Sequence, residues 1–243
     1  MNISNQTFLS DGRRVVATEA TIEEYLFFEN ANEEKHEFHD GSIITLYSDY
    51  EYVPAETERK IVRTGATVEE YLAFENASEE RHEFHNGDII AMPGNTGYHE
   101  HLMFKIMFAI GKHIAAPEYW IFGSNLKTMI PTYNRYVYPD VTIVRGEAQY
   151  NDAGKRELLN PTVIIEILSP STAEFDLTDK FEYYRSIPSL EEVAFFDQQS
   201  PSVRLFRRNA RGRWEIVEIE NGVVEFASVQ ATVSLAEIYP PNR

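Results

Sequence analysis

Two acids in this chain sit where acids are expensive. Glu166 interrupts Thr162-Val163-Ile164-Ile165-Glu166-Ile167-Leu168, one of the most apolar runs of the sequence, and Asp140 lies inside Tyr136-Val137-Tyr138-Pro139-Asp140-Val141-Thr142-Ile143-Val144. Runs of this kind read as strands buried on both faces. A lone carboxylate there costs on the order of several kcal/mol unless it is paired, protonated or bound to a metal. Two acids on two such strands suggest a cation between them. One candidate is Lys180, 14 residues beyond Glu166. The other is a metal, because a carboxylate pair offers hard oxygen ligands that suit Mg²⁺ or Mn²⁺. A metal held there generates hydroxide and stabilises charge on a phosphate. A neighbouring lysine then orients the attacking water or neutralises the transition state. From spacing alone the simpler account is a buried Glu166–Lys180 salt bridge with Asp140 as a turn residue.

The elements around these residues must bring them together. Pro139 has no N–H and biases Tyr138 toward an extended conformation, so it belongs at a strand edge or bulge, where a side chain is re-aimed. The run Tyr136–Val144 is expected to be a strand that projects Asp140 toward Glu166 on a neighbour. Ser169-Pro170-Ser171 ends the Glu166 strand, and a helix is expected from about Thr172 to Arg185, packing back over the sheet with Lys180 and, one turn on, Tyr184. Tyr184 reads equally as support for Lys180 and as core. A polar loop spans Arg145 to Asn160. The last third alternates as strands do, near Glu192–Phe196, Val203–Arg207, Trp214–Ile219 and Val223–Ala227.

The N-terminal part contains a duplication. Ala20–Ile44 aligns with Ala66–Ile90 at an offset of 46, with 19 of 25 positions identical. Each copy reads as a helix followed by a hairpin. Thr67 with Glu70, and Thr21 with Glu24, form capping-box signatures. His-Glu-Phe-His then leads into Asn86-Gly87 (Asp40-Gly41 in the first copy), a tight-turn signal, with Asp88–Met92 as the return strand. A second helix is expected from about Tyr98 to Ile114, its buried stripe marked by Leu102, Met103, Ile106, Met107 and Ile110.

Composition excludes several classes. There is no cysteine among the 243 residues, so disulfides, thiolate ligands and cysteine nucleophiles are ruled out, which fits a reducing cytoplasm. No run is long enough to cross a membrane, and Met1–Arg14 lacks the apolar block of a secretory signal. The net charge of −17 argues at first against nucleic acid. The excess is concentrated, however: residues 1–92 hold 20 acids and 7 bases, whereas residues 93–243 hold 19 and 15. Arg204, Arg207, Arg208, Arg211 and Arg213 are therefore candidates for phosphate contact or for a solvated hairpin face. The pairs His82/His85 and His99/His101 do not converge as zinc ligands at their spacings. No phosphate-binding glycine loop or nucleophile elbow is present.

Several strings together resemble the Uma2 family (DUF820), restriction-endonuclease-like proteins of the PD-(D/E)XK nuclease superfamily. They are Arg81-His82-Glu83-Phe84-His85-Asn86-Gly87, Phe122-Gly123-Ser124, Tyr138-Pro139-Asp140-Val141, Pro161 through Thr172, then Asp176, Lys180 and Tyr184, and Ile187-Pro188-Ser189-Leu190. The resemblance implies an α/β (α+β) fold, a mixed β-sheet flanked by helices with a β-rich C-terminal part. It divides the chain into residues 1–60, an extension carrying the first copy of the helix–hairpin, and residues 61–243, the nuclease domain. It implies a metal-dependent endonuclease that hydrolyses DNA, with Asp140, Glu166 and Lys180 catalytic, and Asp140, Glu166 and Glu83 around Mg²⁺ or Mn²⁺. His99 matches a family histidine and reads equally as a helix-cap or core residue. One departure stands out: the superfamily's lysine two residues after the acid is replaced by Leu168, so Lys180 on the next helix takes that role. Either Glu83 or its repeat equivalent Glu37 completes the set, with Glu83 favoured because it is contiguous with the rest of the domain. The resemblance also allows a homodimer. The rival reading is a catalytically inactive nuclease-fold module that binds nucleic acid or a protein.

Overall fold

The computed structural model describes residues 60–92, 94–114, 118–151, 154, 156–168 and 180–239, together with the backbone of four strands within the first 45 residues. The chain divides into two compact units, Met1–Glu56 and Thr57–Arg243.

In the first unit, β1 (Asn2–Phe8), β2 (Arg14–Thr18), β3 (His36–His39) and β4 (Ser42–Thr45) form an antiparallel sheet in the order β1-β2-β4-β3. The second unit begins with β5 (Ile61–Arg63), helix α1 (Val68–Ala77), and the hairpin β6 (His82–His85) and β7 (Asp88–Ala91). The two hairpins have the same register: Glu37 faces Ile44 and Phe38 faces Ile43, as Glu83 faces Ile90 and Phe84 faces Ile89. The equivalence also reaches upstream of the matching sequence. Val15 and Ala17 pair with Ile44 and Ile43 as Ile61 and Arg63 pair with Ile90 and Ile89. Main-chain hydrogen bonds carry that strand pairing, so its side chains were free to diverge.

Local chemistry sets α1 and the hairpin. Thr67 Oγ1 accepts the Glu70 N–H while the Glu70 carboxylate accepts the Thr67 N–H, the reciprocal cap anticipated from the sequence. Asn86 and Gly87 both take positive φ (48° and 109°), as a two-residue hairpin turn with the right twist requires. Tyr71 stacks on Phe84 at 5.1 Å, and with Ala66, Ile89 and Tyr136 they form a small core under α1. Thr67→Ala is expected to lower the stability of the second unit by about 1 kcal/mol in urea unfolding, the usual cost of losing an N-cap.

Helix α2 (Gly97–Gly111), capped by Thr96, starts one residue before the expected Tyr98 and ends three residues before the expected Ile114. It leads into β8 (Tyr119–Gly123) and β9 (Lys127–Ile130). The expected strand Tyr136–Val144 is two strands: β10 (Arg135–Val137) in one sheet and β11 (Val141–Arg145) in another. Tyr138-Pro139-Asp140 is the crossing between them, because Pro139 cannot donate to a ladder. The supposed polar loop after β11 contains a buried two-residue strand, β12 (Glu157–Leu158), parallel to β9.

Next come β13 (Val163–Leu168), β14 (Glu192–Asp197), β15 (Ser202–Arg208), β16 (Trp214–Glu220), and the pair β17 (Val223–Phe226) and β18 (Ala231–Ser234). Of the helix expected over Thr172–Arg185, residues 180–184 are helical and residues 172–179 lie outside the described residues. The two large sheets run β12-β9-β10-β6-β7-β5 and β16-β15-β14-β13-β11-β8. The β13 strand is buried along its whole length, parallel to β14 and antiparallel to β11. Its odd positions Val163, Ile165 and Ile167 pack in the core that includes α2, and its even positions Ile164 and Leu168 pack with Tyr184 and Ile187. No helix among the described residues is long and apolar enough to cross a membrane.

Candidate functional site

The site forms where the chain changes sheets. The β11–β13 ladder pairs Val141 with Ile165, so one further antiparallel step sets Asp140 opposite Glu166. Asp140 lies just past the end of the ladder, and its carboxylate is held on both sides. His99 Nε2, from the first turn of α2, donates to Oδ1 at 2.8 Å. The main-chain N–H of Ile167 donates to Oδ2 at 2.8 Å. A carboxylate only accepts, so the His99 proton lies on Nε2. Burial alone would lower the His99 pKa, but its hydrogen bond and charge contact with Asp140 outweigh burial and raise it.

Glu166 is enclosed, its residue only 4% exposed. Strand alternation puts it on the Ile164/Leu168 side, where the helical turn 180–184 covers it. Lys180 Nζ donates to Oε2 at 3.1 Å and the Tyr184 hydroxyl donates to Oε1 at 2.5 Å. Lys180 and Tyr184, four apart on one helical face, thus grip one carboxylate. Burial, with Asp140 adding repulsion, pushes the Glu166 carboxyl up to about 7 in spite of Lys180. Burial and then the Glu166 charge hold the Tyr184 phenol well above its ordinary range. Tyr184→Phe removes a donor to the charged form, so the Glu166 carboxyl is expected to titrate still higher in carbon-detected NMR, with about 1–3 kcal/mol of stability lost at pH 8.

Glu83 stands apart from this pair. His85 Nε2 lies 2.9 Å from its Oε2, and the Tyr138 N–H is 3.5 Å from Oε1, the limit of a hydrogen bond. Arg135 donates to His85 Nδ1. A guanidinium cannot accept, so Nδ1 must, and Nε2 carries the proton given to Glu83. Arg135 also stacks on Tyr183, 3.7 Å from the ring centroid. Since Tyr183 neighbours Tyr184, this relay links the hairpin that carries Glu83 to the helical turn that holds Glu166. The sequence weighed His85 only as a zinc ligand and did not single out Arg135, although alternation along His-Glu-Phe-His puts Glu83 and His85 on one face.

Of the expected site residues, Asp140 and Glu166 come together, with His99 on one and Lys180 and Tyr184 on the other. Glu83 flanks them. The structure does not gather Glu83, Asp140 and Glu166 into one set: among the described residues no three His, Asp or Glu side chains converge as metal ligands. The donors still suit a hard cation, because each carboxylate oxygen keeps a lone pair beyond the one it uses. Side chains of the first repeat, Glu37 included, lie outside the described residues. Within the arginine cluster Arg204 pairs with Glu218, Arg207 with Glu192, and Arg208 lies over Trp214 while donating to main-chain carbonyls, whereas Arg204, Arg211 and Arg213 are exposed.

A family model described as "Uma2: Putative restriction endonuclease" matches residues 68–236. The chain belongs to the Uma2 family. The Uma2 segment contains Glu83, His99, Asp140, Glu166, Lys180 and Tyr184, whereas Glu37 falls outside it. Two relatives from Synechocystis sp. (strain ATCC 27184 / PCC 6803 / Kazusa) carry no assigned activity. "Uncharacterized protein sll1609" is 34% identical over 136 residues, 55% of this chain and 77% of its own. "Uncharacterized protein slr1290" is 28% identical over 219 residues, 89% of this chain and 90% of its own. In three dimensions the chain is similar to "a putative nuclease belonging to DUF820" from Anabaena variabilis ATCC 29413, with a TM-score of 0.58 at 18% identity over 71% of this chain and 97% of that one. That likeness shows the fold, a mixed α+β arrangement with sheets flanked by helices.

Proposed function

We propose that this Uma2 protein is a metal-dependent endonuclease that hydrolyses DNA phosphodiester bonds. The observation that carries the reading is the placement of Asp140 opposite Glu166 at a change of sheet, with Lys180 bonded to Glu166. A divalent cation such as Mg²⁺ or Mn²⁺, held by Asp140 and Glu166, would supply an activated hydroxide and charge stabilisation at the phosphate. Asp140 is pre-aimed for this by His99 and the Ile167 N–H, so little reorganisation is needed. Glu166 must give up its proton and share its oxygens, and Lys180 is then released toward the substrate phosphate or an attacking water. Tyr184 keeps the carboxylate oriented meanwhile, and Glu83 is fixed by His85.

One observation favours a second reading, a nuclease-fold module that binds without cleaving. All four carboxylate oxygens of Asp140 and Glu166 already hold protein donors. Incubation of supercoiled, linear and single-stranded DNA with Mg²⁺ or Mn²⁺ separates the two. Cleavage that Asp140→Ala removes supports the enzyme. Neither cleavage nor cation binding under any of these conditions, with Asp140→Ala changing nothing, rejects it.

A further inference from the structure

We infer that β8 is a self-pairing edge, and that two copies of this chain join through it in an antiparallel two-fold contact. This rests on the free edge of the sheet and is independent of the nuclease reading. The sheet that holds Glu166 has two edges, and they differ in chemistry. The β16 edge carries Glu215, Glu218 and Glu220, the like charges that keep edges apart. The β8 edge, Tyr119-Trp120-Ile121-Phe122-Gly123, has no charge and no proline in a chain of net charge −17. Among the described residues nothing pairs on its outer side.

The register makes this strand complementary to itself. The Gly146 N–H donates to the Glu118 carbonyl, so pairs in step with it (Trp120 with Val144, Phe122 with Thr142) are the hydrogen-bonded ones toward β11. The main-chain groups of Tyr119 and Ile121 and the Gly123 N–H therefore point to the free side, and the Gly123 carbonyl accepts the Leu126 N–H at 3.4 Å. A two-fold axis at Ile121 pairs all five residues and makes Ile121 opposite Ile121 a hydrogen-bonded pair. Trp120 then falls opposite Phe122 of the second copy, at the closer, non-hydrogen-bonded spacing that suits aromatic pairs. Bulky Tyr119 falls opposite Gly123.

Helix α2 runs alongside, with Met107 near Gly123 and Gly111 near Ile121. Its Phe104 and Phe108 stack on each other while 62% and 59% exposed, and Trp120 is 51% exposed. At roughly 200 Å² for a large aromatic side chain, these three present about 350 Å², close to half the roughly 800 Å² per partner of a stable interface. In the two-fold arrangement Phe104 and Phe108 lie in the seam between the two α2 helices, and the paired main chain and Phe122 add further area. Because β11 is next to β8, each Asp140 lies one strand from the seam.

Sedimentation of the full chain at micromolar concentration is expected to give a dimer, and Trp120→Glu, at a half-exposed position, a folded monomer with the dissociation constant raised at least about 30-fold. In a chain without cysteine, Ile121→Cys should form an interchain disulfide on mild oxidation, since hydrogen-bonded antiparallel pairs have Cα atoms about 5.5 Å apart. Val223→Cys, exposed on β17, should not. A monomer at all concentrations, a dimer indifferent to Trp120→Glu, or cross-linking at Val223 and not at Ile121 would each overturn the inference.

Discussion

Asp140→Ala is expected to lower divalent-cation-supported DNA cleavage by on the order of 10³-fold, the scale set by removing a group aimed at developing charge. It is also expected to destabilise the second unit, because the buried Ile167 N–H and His99 Nε2–H lose their acceptor together, at about 1–3 kcal/mol for each buried group left unpaired. The two effects separate in Asp140→Asn. The amide oxygen still accepts from Ile167, so most of the stability returns, but the negative charge that would hold the cation does not. Cleavage should therefore stay as low in Asn as in Ala while the urea midpoint recovers. Should Asn restore cleavage, Asp140 is a structural clip, and the catalytic assignment fails even if the protein is a nuclease. Calorimetric titration with Mn²⁺ gives a second readout: binding seen with the unaltered protein should be lost in both variants.

Stability is expected to fall as pH rises through the weakly acidic and neutral range, against the usual behaviour of buried carboxylates in ion pairs. The cause is Glu166. Its carboxyl titrates ordinarily near 4.5 and is raised to about 7 in the folded protein, chiefly by burial. Between those values the unfolded chain has released a proton that the folded chain keeps, so folding weakens as pH rises across the window, by up to about 3 kcal/mol in total. His99 works in the same direction at slightly higher pH. Its pKa is raised by Asp140, so its contribution is complete below 6.5 and is lost as pH rises through the folded value. Glu70 and Glu237, exposed and held below 4.5, lose their contributions only as pH falls further, outside this window. Urea midpoints between pH 4.5 and 8 should show the decline, and Glu166→Gln should flatten its lower half. A divalent cation held by this pair favours the ionised form, so added Mg²⁺ should recover stability most at pH 8 and least at pH 5. A flat profile in the unaltered protein would mean that Glu166 remains ionised beside Lys180, and the proton exchange invoked for the site would then be wrong.

The sequence by itself determined the parts whose chemistry is local. Thr67 and Glu70 specify their own cap, and Asn86-Gly87 its own turn. The apolar run around Glu166 fixed a fully buried strand, and with it the need for a partner to the acid. The spacing of Glu166, Lys180 and Tyr184 and the motif strings around Asp140 carried the family. What it left open depends on long-range pairing. Pro139 marked an interruption, but only the tertiary structure decided that the chain leaves one sheet there and enters another. That change of sheet sets Asp140 beside α2, where His99 takes one oxygen, and next to β13, whose main chain takes the other. The same holds for Glu83: alternation puts it on a face with His85, while the Arg135 that fixes the His85 proton arrives from a strand fifty residues away. The arginine cluster needed the structure too, because only β15 pairing with β14 and β16 brings Glu192 to Arg207 and Glu218 to Arg204. Sequence order defines which residues can bond along one helix or turn. Which carboxylate meets which donor across two sheets follows from register, and register is a property of the folded whole.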